Sequence, residues 1–527
     1  MKNILKIGLL GICLSALACD DFLTKIPYNT QSIENSYDSP SDIAGNVIGC
    51  YNQLITIHRS KELLINENRS DNATYPNTEN ISSNYDAITP SLLLISSNND
   101  NILPIWRGCY YLINRTNLVL EHLNVVIEEN ERKQYEAEMK FLRGWAYFML
   151  ARYFGGVPLL TTSVSSGEDA KGIGRASLDD TFARIEADLR DSYQLFESLG
   201  NSYKPAYGRA HQWAAKALLG KVYMTWHKND LAKPLLEDVH LHSGFKLTGN
   251  YEDVFVATLE TTKGKEEILF PIRFTGGGLG IGNNFSTLCG HEEVSGTKGS
   301  NLVFWSNSLR DAFTETSDVT LDRRYPVTCG EISSSTTVGQ DYPKRYPPKM
   351  VGLRLKADGS GKYETDQLDK ENDGYLDWPE LRFADVVLLL AEIKADPNSL
   401  YYNEGEALGL INDVRRRAGA PELDTDDITA MFGGDMKEAV LNERRLELAF
   451  ENERLFDMIR QGDQYATDIL LEFYKTEPAY DPLIYPNVYT MLSQVIYGDK
   501  IDAWRLLLPI PNDEILRNGS IKQNPGY

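Results

Sequence analysis

Residues 208–227, GRAHQWAAKALLGKVYMTWH, narrow the folds open to this chain more than any other stretch. Alanine crowds one stripe, so a neighbouring helix can approach closely. Leu219-Gly220-x-x-Tyr223, then Ala232 and Leu236, reproduces the offsets of a tetratricopeptide repeat. In that unit small residues let two antiparallel helices pack, and the tyrosine fills the groove between them. The match is partial, since Lys216 stands at the tryptophan position. Arg382 to Asp396 followed by Glu404 to Ala418 repeats the helix-pair logic less clearly. Residues 41–57 and 105–129 carry apolar positions at spacings of three and four, and further helices are expected over 134–160 and from Leu178 to about Leu199. Several such pairs would stack as a curved scaffold. The expected fold is mainly α, a tetratricopeptide-like helix-pair superhelix with repeats within about 41–240 and 379–420.

The pattern changes between about 250 and 378. Short β-like runs, Ile268 to Phe274 and Met350 to Leu355, are separated by Gly, Ser and Thr. This reads as an irregular, loop-rich half with a few short strands. Gly276, Gly277, Gly278, Gly280 and Gly282 do not fit G-x-G-x-x-G and lack the lysine of a phosphate loop. They read as a pliable loop, with an adaptable ligand lid as the alternative. Residues 66–104, rich in Asn, Ser, Asp and Thr, read as a loop or an open face. A charged helix is expected from Asp435 to about Gln461.

The first twenty-three residues speak to location. Lys2 and Lys6 precede the apolar run Ile7 to Ala18, and Ala16-Leu17-Ala18 leads into Cys19. That is the pattern of a secretion signal, residues 1–18, ending at an acylated cysteine. The run is too short for a helix across a bilayer core, which takes about 20 residues. Acyl chains on Cys19 would then hold residues 19–527 to a membrane. The chain holds 53 Lys and Arg against 75 Asp and Glu, a net charge of −22. A surface of that sign repels phosphate backbones, so nucleic acid is excluded as a partner. Cys50, Cys109, Cys289 and Cys329 form no C-x-x-C, and buried thiols or a Cys50–Cys109 or Cys289–Cys329 bridge all remain open.

Two constellations could carry chemistry. Glu443, Glu447 and Glu451 share one face at four-residue spacing. A glycosidase needs two carboxyls about 5–10 Å apart across a sugar cleft. Here Arg444, Arg445, Arg454 and Arg460 interleave with the glutamates, which favours structural ion pairs over a protonated general acid. In DKENDGYLDWPE, Asp369, Glu371, Asp373, Gly374, Asp377 and Glu380 fall at positions 1, 3, 5, 6, 9 and 12 of an EF-hand loop, and Tyr375 would offer its carbonyl. The competing reading is an acidic turn capping a helix that begins near Pro379. No cofactor is required, and a structural calcium is the one metal the spacing suggests. G-x-S-x-G and H-E-x-x-H are absent, and the seven histidines do not cluster.

CDDFLTKIP after the lipid site, EAEMKFLRGWAYFMLARYFGGVPL, GRAHQWAAKALLGKVYM, LRFADVVLLLAEI, ERRLELAFENERLFDMIRQG and the ending LLLPIPNDEI with QNPGY resemble, in order, the landmarks of the RagB/SusD family. The resemblance covers Cys19 to Tyr527. It implies a single SusD-like domain of four tetratricopeptide-like helix pairs and a variable ligand-bearing half. It also implies a non-enzymatic lipoprotein, exposed on the outer membrane, that captures oligosaccharides, or in some members peptides. Such proteins hand their ligand to a SusC-like TonB-dependent transporter. Asp20 and Asp21 resemble the signal that sends such lipoproteins to the cell exterior.

Sugar capture calls for aromatic faces and amide or carboxylate groups. Trp106, Trp145, Trp213 and Trp226 lie on helical stretches and are expected in the core. Trp305, in a polar segment beside Asn301, and Tyr75 and Tyr85, in the Asn-rich loop near Asp71, are the exposed candidates for ligand contact. A surface glycoside hydrolase and a pure protein-interaction scaffold are the competing functions.

Overall fold

The computed structural model describes residues 36–59, 62–74, 86, 89–200, 203–256, 265–290, 302–332, 344–351, 353–355, 363–365, 372–477 and 497–527. Within them, long helices pack in sequence order: α1 (Pro40–His58), α2 (Ile102–Glu121), α3 (Glu129–Phe154), α4 (Leu178–Leu199), α5 (Gln212–Thr225) and α6 (Asn229–His242). The array continues through α6 onto α8 (Phe383–Ala395), which pairs with α9 (Glu404–Ala418). The expected tetratricopeptide-like stack is what forms.

One device recurs inside the first three pairs. A methyl group added at Gly108 of α2 would lie 2.7 Å from Ile57 of α1. At Gly144 of α3 it would meet Leu189 of α4 at 2.9 Å, and at Gly220 of α5 it would meet Leu236 of α6 at 2.6 Å. In each pair a missing side chain lets an aliphatic from the partner sit directly on the backbone, which fixes close helix approach. The Gly220–Leu236 contact is the physical content of the repeat spacing.

Boundaries follow local chemistry. Ser39 caps α1 through a reciprocal box with Asp42, and Pro40 begins the helix. Asn403 caps α9, and Gly419 ends it in the left-handed conformation.

The remainder is built from short pieces: β1 (Ala73–Thr74) with β3 (Phe304–Trp305), β2 (Ile268–Ile272) with β8 (Trp378–Arg382), β4 (Gly330–Ile332) with β5 (Lys344–Tyr346), and β6 (Leu353–Leu355) with β7 (Tyr363–Thr365), all antiparallel. Around them lie α7 (Asn307–Thr316), α10 (Met436–Leu448), α11 (Arg454–Arg460), α12 (Asp463–Thr476) and the C-terminal α13 (Asn512–Arg517).

Four expectations are corrected. Pro379 and Glu380 lie on β8, and the helix begins only at Phe383. Met350 lies in a short helical turn, Pro348–Val351, ahead of β6. The charged helix after Asp435 is broken: Phe450 and Asn452 take φ of 64° and 61°, and the chain reverses before α11. Such a conformation costs about 1–3 kcal/mol per non-glycine residue. Asn452 is held in it by Asn66 Nδ2, which donates to its carbonyl at 2.6 Å, and by Glu67 Oε1, which accepts from its amide at 2.6 Å. The start of the polar stretch 66–104 is therefore no open face, because Asn66, Glu67, Asn68, Arg69, Asp71 and Asn72 are all buried and serve as internal connectors.

Among the described residues, Cys50, Cys109, Cys289 and Cys329 are free and buried. Burial pushes the Cys50 thiol up to about 12, and those of Cys109, Cys289 and Cys329 upward as well.

Glu443, Glu447 and Glu451 form ion pairs, as their arginine-rich surroundings suggest, but with partners from elsewhere in the chain. Arg324 and Arg415 reach Glu443; Arg324, Arg382 and Arg417 reach Glu447; Arg382 and Lys349 reach Glu451. Burial opposes ionisation of Glu447, yet the arginines prevail and hold its carboxyl down at about 2. This lattice bolts α10 to β8, α9 and the segment around Arg324.

Candidate functional site

The segment Glu62–Thr74 packs against α11, is bonded to α10 through Arg445, and places Asp71 at the floor of a cavity of about 330 Å³. Arg454 at the start of α11 meets the Asp71 carboxylate with both ends of its fork, Nε to Oδ1 at 2.8 Å and Nη2 to Oδ2 at 2.9 Å. Arg445 of α10 approaches from the other side, with Nη2 3.1 Å from Oδ2. The same guanidinium donates to Asn72 Oδ1, the Asp71 carbonyl and Ser308 Oγ at 2.9–3.0 Å. All three charged side chains are at least nine-tenths buried.

Burial resists the charge on Asp71, but the two guanidinia overcome it and hold the carboxyl at about 2. Two cations share one anion, and the shortfall falls on Arg445. Burial, only partly offset by Asp71 and worsened by Arg454, lowers its pKa to about 10. The cavity wall adds Tyr465, whose hydroxyl donates to Glu438 at 2.8 Å, together with Asn442, Glu472 and the apolar Phe432, Leu441, Ile469 and Phe473. Fixed donors, an ionised acceptor and apolar faces suit a polyhydroxylated ligand.

The floor is tied to the small sheets. Ser306, the N-cap of α7, donates its hydroxyl to the Asp71 carbonyl at 2.6 Å, and its amide meets the Asn72 carbonyl. Ala73 and Thr74 pair with Trp305 and Phe304. Glu477, at the end of α12, accepts from the amides of Asn307 and Ser308. The β4–β5 pair packs beside β3.

Trp305 corrects the sequence reading. It is fully buried, its Nε1 donates to the Gly330 carbonyl at 2.8 Å, and Arg345 lies over its ring at 4.2 Å. Its polar neighbours in sequence cap α7, so a polar segment conceals a core tryptophan. Asp71 is likewise buried but borders the cavity, and Trp305 is one strand away from it. Tyr75, Tyr85, Asn301 and Cys19 lie outside the described residues. Sequence reasoning missed Arg445, Arg454 and Tyr465 as members of this site. The first two were visible only as charges on a helix, with nothing in their spacing pointing to Asp71.

The described carboxylates of the EF-hand-like spacing have protein partners. Asp373 accepts from the amides of Gly277 and Gly278 at 2.9 and 2.7 Å, and the glycine loop folds onto it. A methyl group at Gly276 would lie 2.3 Å from the Asp373 carbonyl, so the glycines serve close approach in place of a lid. Asp377 takes the Phe274 amide and Arg273. Glu380, on β8, accepts from the indoles of Trp145 and Trp378. Tyr375 packs by the same glycines, while Asp369 and Glu371 lie outside the described residues. Among the described residues no group of three or more His, Cys, Asp or Glu side chains is placed to hold a metal ion.

Comparison with known proteins brackets both halves of the chain. A family model described as "Starch-binding associating with outer membrane" matches residues 21–224, and the SusD family model matches 323–527. The chain is similar to SusD-like protein P25 of Formosa agariphila, 24% identical over 85% of this chain and 88% of that one. It is also similar to a SusD-like protein of Bacteroides ovatus, 24% identical across 100% and 99% of the two chains. Among solved structures, a laminarin-binding SusD-like protein superposes with a TM-score of 0.70 at 22% identity, covering 93% of this chain and all of its own. Surface glycan-binding protein A of Bacteroides thetaiotaomicron in complex with laminarihexaose gives 0.69 at 18% identity, covering 92% and 99%.

Proposed function

This chain belongs to the SusD/RagB family, and from that premise we propose that it captures glycans at the outer cell surface and delivers them to a SusC-like TonB-dependent transporter. It is not an enzyme; its relatives include glycan-binding proteins, and the aspartate at the cavity floor is locked in its charged form. The body, residues 19–527 as one domain, is held to the outer membrane by acyl chains on Cys19. No helix among the described residues is long and apolar enough to cross a membrane. The observation that carries the reading is the match of two models of one family to both halves of the chain, with known glycan binders sharing the whole fold. The cavity over Asp71 supplies chemistry that fits: Arg445, Arg454, Asn442 and Glu438 can address hydroxyls, while Phe432 and Tyr465 offer flat faces.

The test is affinity electrophoresis of the mature protein through gels containing laminarin, starch, xylan or galactomannan. Retardation by at least one polysaccharide, with no reducing ends released on prolonged incubation, is expected. Release of reducing ends, or retardation by none, overturns the reading. Labelled palmitate is expected in the wild type and absent from Cys19→Ser, and the transporter is expected to co-purify with the protein from its native membrane.

A further inference from the structure

A second cavity, of about 510 Å³, lies away from Asp71, between α2, the loop 158–173 and α13. Its size falls within the range of about 300–1,000 Å³ usual for ligand sites. One wall is aromatic: Trp106, Tyr110 and Tyr111 follow one another on α2, with the rings of Trp106 and Tyr110 5.0 Å apart. Tyr110 is fixed by its hydroxyl, which donates to the Pro158 carbonyl at 2.8 Å. Tyr111 is 60% exposed, more than any other aromatic side chain among the described residues.

The opposite wall is polar and preformed. Asn114 clamps Val164 through both ends of its amide, and Asn518 donates to the carbonyls of Ala170 and Ile173, so the loop is pinned at both ends. Arg107 is locked onto Glu514 at 2.7 Å and Asp513 at 3.3 Å. Arg517 lines the same cavity, and its side chain has no ion-pair or hydrogen-bond partner among the described residues. The charged groups of the lining are thus Arg107, Glu514 and Arg517, and the first two are spent on each other. A bare aromatic face and an unspent guanidinium lining one cavity suit a sugar ring, which offers a C–H face to stack and hydroxyls to accept hydrogen bonds.

We propose that this cleft is a second saccharide-binding site, which stacks one face of a pyranose on Tyr111 and takes its hydroxyls with Arg517 and Glu514. The inference rests on the glycan-binding reading and deepens it. Two sites on one body can engage one long polysaccharide together, raising apparent affinity over either alone.

The experiment uses the same four polysaccharide gels, with wild type, Tyr111→Ala, Tyr111→Phe and Arg517→Ala. For whichever polysaccharide retards the wild type, Tyr111→Ala is expected to weaken apparent affinity at least about fivefold, and Arg517→Ala about threefold, with unchanged melting temperatures. Tyr111→Phe, which keeps the flat face, is expected to restore most of the retardation. If the wild type is retarded and Tyr111→Ala moves identically, the second site is wrong while glycan binding stands. If no polysaccharide retards the wild type, both fall together.

Discussion

Along α10, Glu443 and Glu447 enter a buried lattice, while Arg445 turns the other way toward Asp71. The lattice sets Glu267, Asp322, Glu443, Glu447 and Glu451 against Arg324, Arg382, Arg415, Arg417 and Lys349, five anions for five cations among the described residues. The cavity floor has two guanidinia for one carboxylate. The same residue types, a few ångströms apart, therefore serve different ends. Matched stoichiometry without a cavity fastens elements together; unmatched stoichiometry beside a cavity leaves polar capacity for a ligand. Charge alone does not distinguish the two, and neither does burial.

The sharpest way to break this contrast is Arg382→Met. It takes one cation away from each of Glu267, Glu447 and Glu451, and removing one partner from a buried ionic group costs about 3–5 kcal/mol. A urea titration that shows less than about 1 kcal/mol of lost stability would mean that the lattice fastens nothing. Asp71→Asn should cost less, about 1.5–3 kcal/mol from its charged hydrogen bonds, but should also weaken glycan retardation about tenfold. Loss of stability with unaltered retardation would make the cavity floor a second piece of scaffold.

Acid and base sharpen the comparison. The depressed Asp71 carboxyl contributes stability that is present above its ordinary 3.8 and drains away as pH falls toward 2. Glu67 behaves oppositely. Burial, against a weaker pull from the Asn452 amide and Lys349, raises its carboxyl from 4.5 to about 8, so the fold loses stability as pH rises through that window. Glu67→Gln keeps the acceptor for Asn452 and should raise the melting temperature at pH 8 by a few degrees while leaving pH 4 nearly unchanged, measured by differential scanning calorimetry. An equal shift at both pH values would place the charge elsewhere. The smallest effect concerns the thiols: Cys50, Cys109, Cys289 and Cys329 should resist alkylation in the native protein and all react in urea, as mass spectrometry would read.

The helix pairs were legible because close packing leaves a local trace. A glycine or alanine at a fixed offset from an aliphatic residue is enough to write Gly220 against Leu236. The lattice was half legible: Glu447 among arginines announces ion pairs, but Arg382 and Arg417 arrive from distant parts of the chain, and spacing carries no such information. Trp305 and the stretch after Glu62 were misjudged for one reason. Polar composition implies water only when the polar groups lack partners inside, and here Ser306, Asn66 and Glu67 find them 200 or more residues away in the chain. The glycine run and Asp373 form the two halves of one clasp, a pairing across about 95 residues that neither local pattern encodes.

The reversal between α10 and α11 has a consequence for how such a protein diversifies. Five residues, held from beneath by Asn66 and Glu67, send Glu451 to the ionic framework and Arg454 to the cavity. Whatever alters Phe432, Tyr465 or Glu472 can retune the recess without touching the joint. A shift of register by one position at Phe450–Asn452 would rotate Arg454 away from Asp71 and Arg460 away from Glu392 at once. Chimaeras exchanging this wall between relatives should therefore be spliced after Arg460, leaving the bend and its two underlying props from the same parent.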